Sequence, residues 1–353
     1  MADDQSDGAV RFEVARDDLH RTRVIEEPTR TPADGEVLVR VEAFGLTANN
    51  ISYAVFGDML GYWQFFPAAG EWGQVPTWGF GTATESANES VPADTRLFGY
   101  FPMASHLMMR PTAVGDAQLI DGSEHRAALP AAYNTYRLVA ADPLYDPARE
   151  AEQMLLWPLF FTGFVLEQFL ATNARFGADT VVLSSASSKT AISTAHRLGE
   201  RDDVTVVGLT SAANLDLVRS LGLYDVVVGY EEIDSLPVER AVYVDFAGNT
   251  AVRAAVHRHY GDHLQHSALV GGTHWDQSSA DEVPGPEPVF FFAPDHWGPE
   301  AESLLPAAWR GFVAGVDAWL RVERRSGVDE LRRAYLETLD GDADPAVGLV
   351  LSL

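Results

Sequence analysis

Cysteine is absent from the chain, and lysine occurs once, at Lys189. Without a thiol there is no disulfide framework, no thiolate nucleophile and no cysteine-ligated zinc. Positive charge is scarce in general: 25 basic residues stand against 51 acidic ones, a formal net charge of −26. Such a field repels nucleic acid and anionic membranes, because binding to either depends on neutralisation by Lys and Arg. The acids are scattered, which makes them a solvated shell rather than an acidic tail. A high-salt cytoplasm accounts for both the shell and the missing lysines; GC-rich codon usage accounts for the lysines alone. A long hydrophobic run is missing too. The most apolar stretch, 154–170, is interrupted by Pro158, Gly163 and Glu167 and is short for a bilayer span. The opening residues 1–8 are acidic and polar, unlike a secretory signal. These absences lead us to expect a cytoplasmic protein with neither a membrane nor a nucleic-acid partner.

What is present points to several domains. A chain of 353 residues, 46% of them hydrophobic, supports two or three real cores. To about residue 150 the pattern is β-like and aromatic. Residues 35–42 alternate as a half-buried strand does, and Tyr62, Trp63, Phe65, Phe66, Trp72 and Trp78 cluster among Gly and Pro. From 151 to 295, apolar runs at 180–183, 204–208, 225–229, 241–245, 266–271 and 289–292 alternate with helical patterns such as 214–221. That alternation implies a parallel, doubly wound sheet. The remainder reads as helices at about 300–323 and 328–338 and a closing strand at 347–353.

The lone lysine stands in Leu183-Ser-Ser-Ala-Ser-Ser-Lys-Thr-Ala191, between an apolar run and a helical pattern. A strand, a turn of tiny residues and a helix N-terminus make an anion site, since free N–H groups and the helix dipole favour negative charge there. We read Lys189 as a nucleotide-phosphate contact. Two other readings compete. One is a P-loop, which Ser188-Lys189-Thr190 echoes without the glycines that form its nest. The other is an exposed lysine with no role.

The order of elements resembles the medium-chain dehydrogenase/reductase superfamily. Residues 35–47 look like its opening strand and turn, 78–85 and 96–100 like its next β-segments, and 329–335 through 348–351 like its closing helix and strand. The resemblance implies an α/β fold, with a doubly wound parallel Rossmann sheet inserted in a β-rich, GroES-like catalytic domain. The expected division is 1–150 and 296–353 for the catalytic domain and 151–295 for dinucleotide binding. Zinc-dependent members carry a cysteine just after the turn at Gly45, where this chain has Leu46 and Thr47. That implies the zinc-independent branch, similar to quinone oxidoreductases and enoyl reductases, with no metal site. The superfamily's Gly-x-x-Gly-x-x-Gly/Ala turn is replaced position for position by Ser185, Ser188 and Ala191. A serine Cβ keeps backbone and pyrophosphate further apart than glycine does, a gap that Lys189 can bridge.

Carried onto this chain, the resemblance places cofactor contacts at Ser185, Ser188, Lys189 and Thr190, and at Gly271 and Phe291 near the ends of the last two runs. The second run ends Gly208-Leu-Thr-Ser211 with no acid before Asp216. NAD readers keep an acid there for the ribose 2′-OH, so Thr210, Ser211 and Asn214 favour NADPH, although a plain helix cap explains the same residues. Asn50 and Tyr53, beside Asn49, are the expected catalytic residues: amide and phenol can stabilise and protonate an enolate. A capped helix start with a buried tyrosine is the rival account, and Tyr62, Tyr133 and Tyr136 are competing donors. Tyr62, Trp63, Phe66 and Trp78 suit the lining of an apolar or planar substrate. His257, His259, His263 and His266 straddle a helix end and should diverge rather than hold a metal. The expected activity is NADPH-dependent, metal-free hydride transfer to an enone, enoyl thioester or quinone. Carbonyl reduction or non-catalytic NADPH binding are the alternatives. The apolar run 289–292 needs cover, which leads us to expect a homodimer.

Overall fold

The computed structural model describes residues 8–271 and 283–353. Its chain divides into two compact units, one running to Leu155 and resuming at Arg321, the other spanning Leu156–Leu320.

The first unit is built on a nine-stranded sheet. Its centre is Val37–Leu46, where Val37, Val39 and Val41 are buried and Arg40 is exposed. That strand pairs antiparallel with Pro76–Ser86, with His106–Met109 and with the C-terminal strand Val347–Ser352. Pro76–Ser86 pairs in turn with Arg96–Pro102, and that strand with Thr135–Leu138. The helix Val328–Leu339 lays Leu331, Ala334 and Tyr335 into the core with Phe12, Phe44 and Leu351. Those positions form the three-and-four spacing of an amphipathic helix.

One element differs in kind from its sequence expectation. The helix expected over 300–323 ends at Ala314, and Arg321–Ser326 is a strand pairing in parallel with Val347–Ser352. Its run of Arg and Glu has no β-propensity of its own. It lies at the margin of the sheet, where charged side chains suit an edge strand and pairing overrides local preference.

In the second unit six strands form one sheet: Thr180–Leu183, Thr205–Thr210, Val226–Gly229, Ala241–Asp245, Leu264–Leu269 and Val289–Phe290. Their spatial order, counted along the chain, is 3-2-1-4-5-6, and every pair is parallel. This is the Rossmann order. The first and fourth strands, at its centre, are buried at every position, as sheets covered on both faces require. The helices Lys189–Leu198, Leu215–Ser220 and Thr250–Tyr260 lie between successive strands. The strand order reverses between the first and fourth strands, which is where such sheets take their ligands.

The apolar stretch at 154–170 is longer than the sequence led us to expect. The helix Glu150–Thr172 continues through Pro158 and Gly163 for 23 residues. Among the described residues it is the one helix long and apolar enough to cross a membrane, and 67% of its most apolar window is buried within the protein. Trp157 and Phe160 pack edge-on against Trp309, and Phe160 stacks on Phe312. Core packing accounts for its composition.

Candidate functional site

The turn between Leu183 and Lys189 lies at the reversal point of the parallel sheet. Ser185 has φ +48°, in the left-handed region. A side chain there costs roughly 1–2 kcal/mol, which is why glycine is the usual occupant. Several contacts hold this strained turn. The Ser185 N–H donates to the Tyr230 hydroxyl (3.1 Å), and the Tyr224 hydroxyl donates to the Ala186 carbonyl (2.8 Å). Ser188 is the N-cap of the helix Lys189–Leu198, its hydroxyl accepting from the Ala191 N–H at 3.2 Å. Lys189 and Thr190 are the first two helical residues and are half-buried. At the end of the second strand Thr210 is buried, Ser211 precedes a short 3-10 turn, and the Asn214 amide donates to the Ser187 hydroxyl at 3.2 Å. That bond ties the end of the second strand to the turn before Lys189. Asp216, the first acid beyond the strand, is exposed.

Beneath the turn is a cluster the sequence reading missed. Ser184, just after the first strand, and Asp245, the last residue of the fourth, are both fully buried. The Ser184 hydroxyl donates to Asp245 Oδ1 (2.9 Å) and accepts the Phe246 N–H (2.9 Å). Asp245 Oδ1 also accepts the Ala247 and Gly248 N–H groups at 3.1 and 3.0 Å, and Oδ2 pairs with Arg253 at 3.3 Å. Burial pushes the Asp245 carboxyl above its ordinary range, against the pull of these donors. The cluster locks together the two loops on either side of the reversal point. Gly271 abuts it: a Cβ there would lie 2.2 Å from the Phe246 carbonyl oxygen, so the close approach requires glycine. Phe291 is buried against Phe169 and stacked on His296, an interior position.

The expected catalytic and substrate residues all lie in the first unit. Asn50 is part of a capping box on the helix Ala48–Val55. Its Oδ1 accepts the Thr47 N–H at 2.8 Å and its Nδ2 donates to the Pro76 carbonyl at 2.8 Å. Both ends of the amide are thus engaged in shaping the helix start. Tyr53, one turn on, is buried among rings, with centroids 4.7 Å from Tyr62, 5.5 Å from Tyr100 and 6.2 Å from Tyr133. The Trp78 indole N–H reaches the Tyr53 hydroxyl at 3.4 Å, and the Tyr62 and Tyr133 hydroxyls are 3.3 Å apart. Burial raises the pKa of Tyr53, Tyr62, Tyr100 and Tyr133 alike. Trp78 and Tyr133 are the half-exposed members of this group.

Trp63 stands apart from it. Its ring is wedged between two glycines, since a Cβ on Gly57 or Gly73 would lie 2.1 or 2.5 Å from it, and it belongs to the main core. Phe66 packs on Tyr100 and lies under the Arg126 guanidinium. Tyr136 serves that same guanidinium: its hydroxyl accepts from Arg126 at 3.1 Å and donates to the Tyr100 carbonyl. Arg126 pairs with Asp121 at 2.8 Å, both buried. No sequence signal marked that pair, because its members lie within an unremarkable polar stretch.

The family described as a protein of unknown function (DUF2855) matches residues 44–344. The chain belongs to that family. No curated protein matches the sequence. Solved structures similar in fold span essentially the whole chain. CurA from Vibrio vulnificus in complex with NADPH has a TM-score of 0.63 at 12% identity, covering 97% of this chain and 98% of its own. TarJ from S. aureus in complex with NADPH gives 0.60 at 11% identity, with 98% and 99% covered. A mutant enoyl thioester reductase from Candida tropicalis gives 0.55 at 11%, with 98% and 100% covered. At such identities the shared property is the fold: a parallel Rossmann sheet inserted in the chain of a β-rich domain, as the resemblance implied.

In this member of the family the four histidines diverge. His257 is buried, its ring nitrogens bonded to the Pro284 carbonyl (2.8 Å) and the Ser267 hydroxyl (2.9 Å). His266 stacks on Phe176 at 4.1 Å, His259 packs edge-on to Tyr260, and His263 ends a 3-10 turn.

Proposed function

We propose that the protein is an NADPH-dependent reductase of the medium-chain type, acting without a metal on an activated C=C bond or a quinone. The observation that carries this reading is the strained, serine-capped strand–turn–helix at the reversal point of a 3-2-1-4-5-6 sheet. The second strand ends without an acid to repel a 2′-phosphate. The fold neighbours CurA and TarJ were solved with NADPH, and a third is an enoyl thioester reductase. Ser185, Ser188, Lys189 and Thr190 would hold the pyrophosphate, and Thr210, Ser211 and Asn214 the 2′-phosphate side. Gly271 would let the backbone close beside the Asp245 cluster.

When bound, NADPH supplies hydride to the electrophilic carbon of the substrate. As the C=C electrons move toward the carbonyl oxygen, Tyr53 donates a hydrogen bond to the charge that develops there. Its raised pKa keeps the phenol protonated, so a water delivers the proton to carbon. Substrate, NADPH and one proton become saturated carbonyl compound and NADP⁺. Asn50 acts by fixing the start of the helix that carries Tyr53. Tyr62 and Trp78 would line the substrate, with Phe66 packed behind them, while Trp63 belongs to the main core.

NADPH consumption across a panel of enones, enoyl thioesters and quinones tests the proposal, with NADH as the comparator. We expect turnover with at least one class and preference for NADPH. Saturated ketone as product separates C=C from C=O reduction. Tight NADPH binding with no turnover on any class would leave a non-catalytic binder. We also propose a homodimer paired through the edge strand Val289–Phe290, whose side chains are 53% and 46% exposed. Sedimentation as a monomer at micromolar concentration would refute it.

A further inference from the structure

The second unit holds a cavity of about 470 Å³ at the ends of the strands opposite the turn. It opens where the helix Lys189–Leu198 stops and the second and third strands begin. Glu200, Asp202 and Asp225 stand exposed around it, while Val206 is buried and Tyr224 half-buried in its wall. The charge there is of one sign. Arg201, the one arginine in the lining, is bound to the buried Glu167 carboxylate, and Glu200 is bound to Arg197. Asp225 accepts the Val206 N–H at 2.8 Å, but neither it nor Asp202 has a cation partner among the described residues. The carbonyl end of the helix adds partial negative charge of its own. His196 is a separate pointer to a ligand. Its Nε2 is enclosed yet has no hydrogen-bond partner, standing 3.8 Å from Glu200. Burial holds this imidazole below its ordinary pKa, so near neutral pH it is uncharged and can accept a hydrogen bond. What the cavity lacks is a donor with positive charge.

We propose that this cavity is an effector site for a small aliphatic diamine, and that its occupant steadies the turn between Leu183 and Lys189 through Tyr224. Ammonium groups would pair with Asp202 and Asp225 and donate to His196, with the methylenes lying on Val206 and Tyr224. The volume suits a chain of several carbons rather than a bare ion, and no group of His, Asp and Glu among the described residues could hold a metal. An anionic ligand would lose its hydration and meet like charge. Tyr224 is the link to the turn. Its ring lies against the second strand at Gly208, where a Cβ would come within 2.8 Å of it. Its hydroxyl donates to the Ala186 carbonyl at 2.8 Å, beside the strained Ser185, and the Ala186 N–H donates to the Leu209 carbonyl at 2.9 Å. A ligand shifts an equilibrium only by favouring one of its states. An occupant packed on the Tyr224 ring favours the position from which the hydroxyl reaches Ala186.

Calorimetric titration of the whole chain with 1,4-diaminobutane, butane-1,4-diol and succinate tests the site. About 0.15 M salt screens the scattered surface acids, so that their general attraction for cations is suppressed. The diamine should bind at least tenfold more tightly than the diol or succinate. Asp202→Asn and Asp225→Asn should each weaken it about tenfold, the scale of one charge-assisted hydrogen bond. Asp329→Asn, at an exposed acid of the first unit, should leave it unchanged. Unaltered thermal unfolding would show that the variants are folded. Hydrogen exchange then reads the coupling: saturating diamine should slow the Ala186 and Ser188 amides about fivefold in the wild type. Tyr224→Phe keeps the ring and should keep the affinity, but the diamine should no longer slow those amides. Equal binding of the diol, no binding of the diamine, or wild-type affinity in both cavity variants would overturn the site. Binding that leaves the turn amides unchanged, or slows them equally in Tyr224→Phe, would overturn its role as an effector. None of these measurements needs NADPH or turnover, so the outcome is independent of the reductase reading.

Discussion

Replacing Asp245 by Asn tests whether the buried acid, rather than the serines above it, holds the turn between Leu183 and Lys189. An asparagine preserves the shape and can still accept from Ser184 and from the Ala247 and Gly248 N–H groups. It cannot pair with Arg253, which is 18% exposed and would then face an amide NH₂. Removing one partner of a buried pair costs ~3–5 kcal/mol. The partial exposure of Arg253, and relief of a carboxylate that burial already disfavours, bring our expectation down to ~2–3 kcal/mol. Replacing both partners, Asp245→Asn with Arg253→Met, should return stability to within ~1 kcal/mol of the wild type, because no orphaned charge remains. Hydrogen exchange reads this locally: the Ala247 and Gly248 amides should exchange roughly 30- to 150-fold faster in the single variant and recover in the double. NADPH affinity should follow the same order. The pH dependence supplies a second check. The folded-state pKa of Asp245 lies above its unfolded value near 3.8, so the unfolded chain releases that proton first. The contribution of Asp245 is therefore fully present below 3.8 and lost as pH rises through the raised value, and Asp245→Asn should abolish that fall. A double variant no more stable than the single one would refute the pairing argument.

Lys189→Ala should weaken NADPH binding by ~1–3 kcal/mol, the scale of a charge-assisted hydrogen bond, with Lys189→Arg recovering part of it. Equal losses for NADPH and NADH by titration would place the ammonium at the pyrophosphate, loss for NADPH alone at the 2′-phosphate, and no loss for either would defeat the reading. Trp63→Ala should destabilise the first unit by ~3–5 kcal/mol through the cavity it leaves, while NADPH affinity measured on folded protein stays unchanged. Glu36 is held down to about 2, chiefly by its hydrogen bond to Arg30. Its contribution is present above about 4.5 and disappears as pH falls toward 2. Glu36→Gln should remove only about 1 kcal/mol at neutral pH, since Arg30 is well exposed, and acid denaturation curves of the two proteins should converge as pH falls to about 2.

The sequence by itself determined the parallel sheet and the place of the strand–turn–helix around Lys189. Apolar runs at 180–183 and 241–245 coincide with buried strands because a strand covered on both faces must be apolar throughout. Ser185 to Lys189 was legible because tiny residues between such a strand and a helix leave few other conformations. Tertiary structure decided the rest, wherever the determining partner is remote. Ser184 meets Asp245 across 61 positions of chain, and neither residue carries a local pattern that announces the other. Asn50 and Tyr53 adjoin in sequence, yet one is absorbed by a helix cap and the other joins rings contributed by four separate segments. Trp63 and Tyr62 are neighbours in the chain, but only the fold sends one between Gly57 and Gly73 and the other to the Tyr133 hydroxyl. Arg321–Ser326 is a strand solely because Val347–Ser352 offers it an edge. Periodicity reports which face of an element is buried; which residues then meet on that face is set by pairing and packing between segments far apart in the chain.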